Sequence, residues 1–167
     1  MYQQFLAFYP TPINFSDYMI ALGSISPDNK KTELFSRSSV WSNQPDYPFG
    51  ERYISDYSIV AMKDFFYVFG GQTEDSTTNR ITSFSTISKV WKIYGKLKSA
   101  RSGHGVFIHE GDFVIVGGTM YGGDQPVSTE RCTIEGDRIK CTVVEPKLSN
   151  HHHYPEMIAV PHDYCSK

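Results

Sequence analysis

The sequence predicts an all-β protein assembled from repeated sheets, and three observations indicate this fold class. First, the stretch that begins at Ser55 returns without a gap from Ser102, at an offset of 47 residues. Second, Phe65–Phe69 and residues 113–116 are continuous apolar runs, too short for helices and flanked by turn residues. Third, aromatic residues make up 14% of the chain, and no convincing amphipathic helical pattern occurs. The repeat therefore defines the structural unit, and the apolar runs are its strands.

Each copy of the repeat contains two strands that are joined by a tight turn and followed by a glycine doublet. The turns fall at residues 63–64 and 110–112, and the doublets occupy residues 70–71 and 117–118. Glycine at a strand end permits positive φ or a close backbone approach between neighbouring sheets. Apolar runs without alternation suit strands that are buried on both faces. A repeat of this length with these features is typical of one blade of a β-propeller.

Further residues connect the repeat to a known family. The doublet at residues 70–71 is followed by Phe84 and Trp91, which are seven residues apart, and residues 100–105 are Ala-Arg-Ser-Gly-His-Gly. This pattern resembles the kelch motif, in which a glycine doublet after a hydrophobic strand precedes an aromatic residue and then a tryptophan. The resemblance begins near Asp17 and extends to the C-terminus. The chain looks like the C-terminal part of secreted metazoan kelch-like proteins.

The resemblance implies a partial kelch-type β-propeller of about three and a half four-stranded antiparallel blades. The first blade is degenerate, because Leu34 and Trp41 keep the seven-residue spacing while Leu22-Gly23 replaces the glycine doublet. Closed propellers have roughly 4–8 blades. We therefore expect either missing N-terminal blades or self-association that closes the ring. The expected segments are a degenerate partial blade, two clear kelch blades and a C-terminal closing strand, over residues 1–50, 51–97, 98–147 and 148–167.

Composition and motifs exclude several classes of function. The net charge is −2 with both signs interspersed, so neither a nucleic-acid patch nor a polybasic membrane surface is expected. No run approaches the roughly 18 apolar residues of a membrane span. The sequence contains no nucleophile elbow, phosphate-binding glycine loop or zinc-protease motif. We therefore expect a protein that is not an enzyme, with no catalytic residue, no cofactor and no metal.

A copper oxidase is the alternative function. Some kelch-like propellers resemble galactose oxidase, which holds copper with tyrosines and histidines, and this chain has 11 tyrosines and 6 histidines. The run His151, His152 and His153 is one candidate metal site. Adjacent strand residues point to opposite faces, however, so at most two of the three histidines can share an ion. A polar loop that enters the last strand is the preferred interpretation of this run.

Two of the three cysteines lie in a predicted hairpin whose two-residue tip separates Glu135 from Arg138. Counting back from this tip places Cys132 opposite Cys141, on a face shared with other apolar residues. Ladder alternation makes them a non-hydrogen-bonded pair, in which side chains approach most closely. The pattern predicts a disulfide with its Cα atoms about 4.4–6.8 Å apart. Two reduced core cysteines in a cytosolic protein are the alternative.

The disulfide bears on the compartment of the protein. Disulfides persist in oxidising compartments, whereas the N-terminus of this sequence has no signal peptide. We therefore expect an extracellular, secreted protein if the N-terminus is truncated, and a cytoplasmic protein otherwise. Asn14 begins a glycosylation sequon. By the resemblance, Cys165 ends the last strand, and its partner lies in the missing N-terminal part.

The expected function is interaction with a protein or other macromolecule through the blade loops. In kelch proteins the binding face is often built by the loops that enter the inner strand and those that follow the doublet, here residues 72–80, 96–101 and 119–127. The candidate contact residues are Arg80, Arg101, His104 and Tyr121. Aromatic and arginine side chains dominate interface energies, so alanine at Arg80, Arg101 or Tyr121 is expected to weaken binding without affecting folding. Ordinary solvated loops, in which Arg101 and His104 bond the backbone, are the alternative.

Overall fold

The computed structural model describes residues 19–23, 30–35, 40–49, 53–121, 128–145, 150, 152 and 155. These residues form eleven strands and include no helix, and hence none long and apolar enough to cross a membrane. In chain order the strands are β1 (Met19–Leu22), β2 (Thr32–Phe35), β3 (Trp41–Gln44), β4 (Ser58–Met62), β5 (Phe65–Phe69), β6 (Arg80–Ser85), β7 (Trp91–Lys96), β8 (Gly105–His109), β9 (Asp112–Val116), β10 (Thr129–Glu135) and β11 (Arg138–Val144).

The strands form two sheets, and the larger sheet consists of two similar halves. Strands β1, β2 and β3 make a three-stranded antiparallel sheet, and the larger sheet has the order β4-β5-β6-β7-β11-β10-β9-β8. Within the larger sheet, β4–β7 (the first unit) and β8–β11 (the second unit) are each four-stranded and antiparallel. A short parallel pairing of β7 with β11 joins the two units. The predicted all-β fold class is confirmed, and the arrangement is consistent with a partial β-propeller.

The first three strands of the first unit, β4–β6, are buried on both faces, whereas β7 is largely exposed. Phe66, Phe84 and Trp91 pack on the side of the three-stranded sheet, where they share one apolar cluster with residues of β1 and β2. Tyr67 and Phe69 point the other way and share a second cluster with β9, β10 and β11 of the second unit. Successive side chains of a strand alternate between its faces. An unbroken apolar run such as β5 is therefore what a central layer requires, as the sequence predicted.

The second unit is covered on one face only by the described residues. Phe113 and Ile115 of β9 are fully buried against the first unit, whereas Val114 and Val116 are half-buried. The expectation that the second apolar run is buried on both faces is thus wrong for the part of the chain that the structure describes. The reason is that no described strand packs against the face of β9 that points away from the first unit. The side chains on that face therefore keep contact with water.

The glycine doublets hold the backbone of the following segment. Gly70 and Gly71 have φ of 56° and 106°, and the Gly71 N–H donates to the Arg101 carbonyl at 2.9 Å. A Cβ atom on Gly70 would collide with that same carbonyl. The second doublet repeats this arrangement, because the Gly118 N–H donates to the carbonyl of His152 at 2.7 Å. His152 therefore has the place after the second unit that Arg101 has after the first.

The cysteine hairpin has the predicted register. Cys132 lies opposite Cys141, and Cys132 is also paired with Phe113 of β9. In the first unit the corresponding row runs from Phe66 through Phe84 to Trp91. Cys132 and Cys141 therefore occupy the positions that Phe84 and Trp91 have in the first unit.

Candidate functional site

Three loops that the sequence assigns to the binding face lie side by side in the structure. The Arg101 N–H donates to the Thr78 carbonyl at 3.3 Å, which joins the loop before β8 to the loop before β6. The Tyr121 N–H donates to the Thr77 hydroxyl at 2.5 Å, which adds the loop after β9. Residues 122–127 of that third loop lie outside the described residues. The described loop residues of both units thus form one continuous surface, which we call the loop face.

The Arg101 side chain lies beneath the loop face and is not part of its exposed surface. Its side chain is fully buried, and its Nη2 atom lies 2.7 Å from a carboxylate oxygen of Glu130. Its Nη1 atom donates to the carbonyls of Gly117 at 3.0 Å and Ser128 at 2.9 Å. Burial lowers the pKa of Arg101, and the Glu130 carboxylate opposes that shift. The expectation that Arg101 is an exposed contact residue is wrong, because the second unit closes over its side chain.

Glu130 completes a buried ion pair that the sequence analysis did not identify. Besides Arg101, its carboxylate accepts hydrogen bonds from the backbone N–H groups of Lys98 at 2.7 Å and Ser99 at 3.0 Å. These three donors satisfy the carboxylate, as a buried charge requires, and they fix the loop before β8. A signal was present in the sequence: Glu130 is two residues from Cys132, so strand alternation places it on the same buried face.

His104 is also buried, and it packs between the two glycine doublets. Its ring lies against Gly70 and its Cβ atom against Gly118. Burial and, to a smaller extent, the nearby Arg101 charge lower the pKa of His104 to about 3. The Phe69 backbone slightly favours the protonated ring, yet neither ring nitrogen reaches a partner in hydrogen-bonding geometry. His104 is therefore a neutral packing residue at neutral pH, and the expectation that it contacts a partner directly is wrong.

The remaining two candidate residues reach the surface. Tyr121 is 64% exposed at the end of the described third loop, next to the partly exposed Met120. Arg80 is half-buried at the start of β6, where its Nη1 atom donates to the carbonyl of Phe49 at 3.0 Å. Arg80 thus connects the loop face to the segment after β3, and Tyr121 offers the larger free side chain.

The cysteine pair lies directly beneath this support. Cys132 and Cys141 are joined by a disulfide, and their Cα atoms are 4.0 Å apart, slightly closer than the predicted range. Close Cα atoms are typical of non-hydrogen-bonded antiparallel pairs, which approach to about 4.5 Å. Among the described residues, Glu130, Cys132 and Cys141 form the one group of potential ligand side chains close enough to share a metal ion. Because both sulfurs are in the disulfide and the carboxylate already has three donors, this group is a structural support.

Two tyrosines between β3 and β4 have structural contacts. The Tyr57 hydroxyl donates to the Leu22 carbonyl at 2.6 Å, and burial raises the pKa of this phenol. Tyr47 packs edge-on against Trp91 with ring centroids 5.0 Å apart. Both tyrosines connect the three-stranded sheet to the first unit.

Of the histidine run, His152 is described and exposed, while His151 and His153, like Asn14 and Cys165, lie outside the described residues.

Comparison with known proteins gives a similarity of limited extent. No family model matches the chain. A stretch of 66 residues is 32% identical to Kelch-like protein 41a of Danio rerio. The match covers 39% of this chain and 11% of that relative, so the two proteins correspond over a small part of the relative's length. The similarity and the paired four-stranded units are compatible with a kelch-type propeller.

Proposed function

We propose that this protein is an interaction module that binds a protein partner through the loop face. The observation that carries the proposal is the continuity of this surface. Loops from two separate units are joined by backbone hydrogen bonds, and a fully buried Arg101–Glu130 pair fixes them from below. A surface that is ordered before binding loses less conformational entropy when a partner docks. The similarity to a kelch-like protein supports the same function.

Tyr121 is the expected anchor of this interface. Tyrosine is enriched among the residues that dominate binding energies, because its ring buries a large area while its hydroxyl keeps a hydrogen bond. Its exposure of 64% leaves most of the ring available to a partner, and the neighbouring Met120 is 37% exposed. Arg80 provides a charged group at the other side of the loop face.

This function is tested by measuring the Kd of a captured partner protein for the Tyr121→Ala variant and for the wild type. Ile87→Ala is the matched control, because Ile87 is 74% exposed but lies in the turn between β6 and β7, away from the loop face. We expect Tyr121→Ala to weaken binding by roughly 1–2 kcal/mol and Ile87→Ala to leave the Kd unchanged, with both variants as stable as the wild type. Equal losses in both variants would contradict the proposed surface. Stoichiometric copper and oxidase activity in the purified protein would favour the enzyme instead.

We also propose that the complete protein is secreted and that additional propeller strands cover the open face of the second unit. The disulfide between Cys132 and Cys141 supports an oxidising compartment. Half-buried Val114 and Val116 support a further neighbour on that face, beyond the residues that the structure describes. Further blades of a longer chain or a second copy of this chain would provide that neighbour. The mass of the purified protein in solution distinguishes the two sources.

A further inference from the structure

The joint between the two units brings together strands that are distant in the sequence. Ile139 of β11 lies opposite Gly95 of β7, and Lys140 lies opposite Lys96. The two backbones are so close that a Cβ atom on Gly95 would collide with the Ile139 carbonyl. A side chain at position 95 is therefore excluded, and the two backbones meet closely beneath a recess that Ile139 helps to line.

Four cationic side chains line this recess. The recess has a volume of about 370 Å³ and is lined by Lys96, Lys98, Arg138 and Lys140, together with the single acid Glu135. Lys96 ends β7 and Lys98 follows in the bend after it, on either side of Leu97, which is 2% exposed. On β11, Arg138 and Lys140 flank Ile139, which is 5% exposed, so these two cations lie on the solvent side, about 6–7 Å apart along the extended backbone. We call these four side chains the basic seam.

The basic seam is unfavourable for the folded chain by itself. The parallel register places Lys96 opposite Lys140, so their like charges repel each other, with a strength that exposure to water reduces. Exposure also weakens the compensating ion pairs, which are Glu135 with Lys140 at 3.9 Å and Asp137 with Arg138 at 4.0 Å. Positions where a chain retains such a local conflict are often functional sites. The conflict is relieved when an anion enters the recess.

The backbone of the basic seam is fixed in advance. The Lys98 N–H is held by buried Glu130, and the Leu97 N–H donates to the Asn79 carbonyl at 2.7 Å. The ion pairs of Lys140 and Arg138 are exposed and weak, so the cationic side chains can turn from this fixed backbone towards a ligand. The sequence analysis missed this feature because the overall charge of −2 conceals two short basic segments on strands far apart in the chain.

We propose that the basic seam binds an acidic, extended segment of a protein partner. An extended segment with acidic residues at alternate positions carries its carboxylates at the 6–7 Å spacing of Arg138 and Lys140 on β11. Nucleic acid is a poorer occupant, because a long polyanion is repelled by the net negative charge of the protein, whereas a short segment meets only the local positive field. Lys96 and Lys98 border the loop face, but Tyr121 does not line the recess, so we expect Tyr121 to make no contact with the segment.

Fluorescence anisotropy with a labelled peptide of alternating glutamate and serine tests the proposal on the full 167-residue chain. The variant is Lys96→Gln/Lys140→Gln, and the charge-matched control is Lys63→Gln/Lys92→Gln, whose exposed lysines are outside the recess. We expect the seam variant to bind about tenfold more weakly, from two exposed charge contacts, with an equal or higher melting temperature. The control and Tyr121→Ala should keep the wild-type Kd.

Three outcomes would overturn the proposal. The first is absence of binding at low salt, and the second is an equal loss in the seam variant and in its charge-matched control. The third is tighter binding of single-stranded DNA than of the peptide, which would assign the basic seam to nucleic acid. Tyr121→Ala separates this proposal from the proposed function. If the loop face does not bind a partner but the basic seam binds acidic segments, the peptide results remain as expected.

Discussion

The burial of His104 predicts that the folded state loses stability in mild acid. Its pKa is lowered from 6.5 to about 3 by burial and by the nearby Arg101 charge. In the unfolded chain the same imidazole titrates near its ordinary pKa. Between these two values the unfolded state binds a proton that the folded state excludes, so the free energy of unfolding falls as the pH falls. The contribution is intact above about pH 6.5 and is lost progressively towards pH 3.

The size of the effect follows from the difference between the two pKa values. Each unit corresponds to about 1.4 kcal/mol, so a shift from 6.5 to about 3 gives a loss of roughly 5 kcal/mol over this pH range. Native domains are stable by only about 5–15 kcal/mol. Titration of His104 alone can therefore remove a large fraction of the total stability.

Urea unfolding at a series of pH values, for the wild type and for His104→Leu, measures this effect. Leucine has a similar volume, and it removes the titrating group together with its contact to the Phe69 backbone. Carboxylates titrate in both proteins, so the difference between the two free energies isolates His104. We expect this difference to change by several kcal/mol between pH 7 and pH 4. Parallel pH profiles for the two proteins would refute the reasoning.

Two further predictions concern the support beneath the loop face. Glu130→Gln leaves the Arg101 guanidinium buried without its counter-charge, so we expect a loss of about 3–5 kcal/mol in urea unfolding. The double variant Arg101→Met/Glu130→Met should recover only part of this loss, because the Lys98 and Ser99 N–H groups lose their acceptor. A single variant as stable as the wild type would contradict the role of the pair. Cys132 and Cys141 close a short loop with a sequence separation of 9, so reduction should cost about 2–3 kcal/mol. Mass spectrometry of non-reduced peptides checks the bond, and free thiols at both positions in secreted protein would favour the cytoplasmic alternative.

Much of the architecture follows from local sequence patterns. The 47-residue offset predicted equivalent strands, and the turn between Glu135 and Arg138 set the register that places Cys132 opposite Cys141. These features depend on residues that are close in the chain or on a strand's alternation. Neither requires knowledge of how the units pack.

The environment of the candidate site depends on contacts between units, and here sequence reasoning was less successful. Arg101 belongs to a loop, and loops are usually exposed, but its partner Glu130 is 29 residues away and encloses it. The basic seam likewise arises only when Lys96 meets Lys140 across the joint. A pattern confined to one segment does not state which side chains a second unit covers.

The backbone contact at each glycine doublet has a consequence for how such a chain can change in length. The N–H groups of Gly71 and Gly118 donate to backbone carbonyls, which every residue type supplies. Arginine at position 101 and histidine at position 152 can therefore accept the same hydrogen bond. The junction thus specifies where the next unit begins without specifying its side chains. A gene that gained or lost one repeat would keep this connection intact. During synthesis, moreover, each doublet can form this hydrogen bond only after the segment that follows its unit has been made. The junctions between units therefore form in order from the N-terminal side.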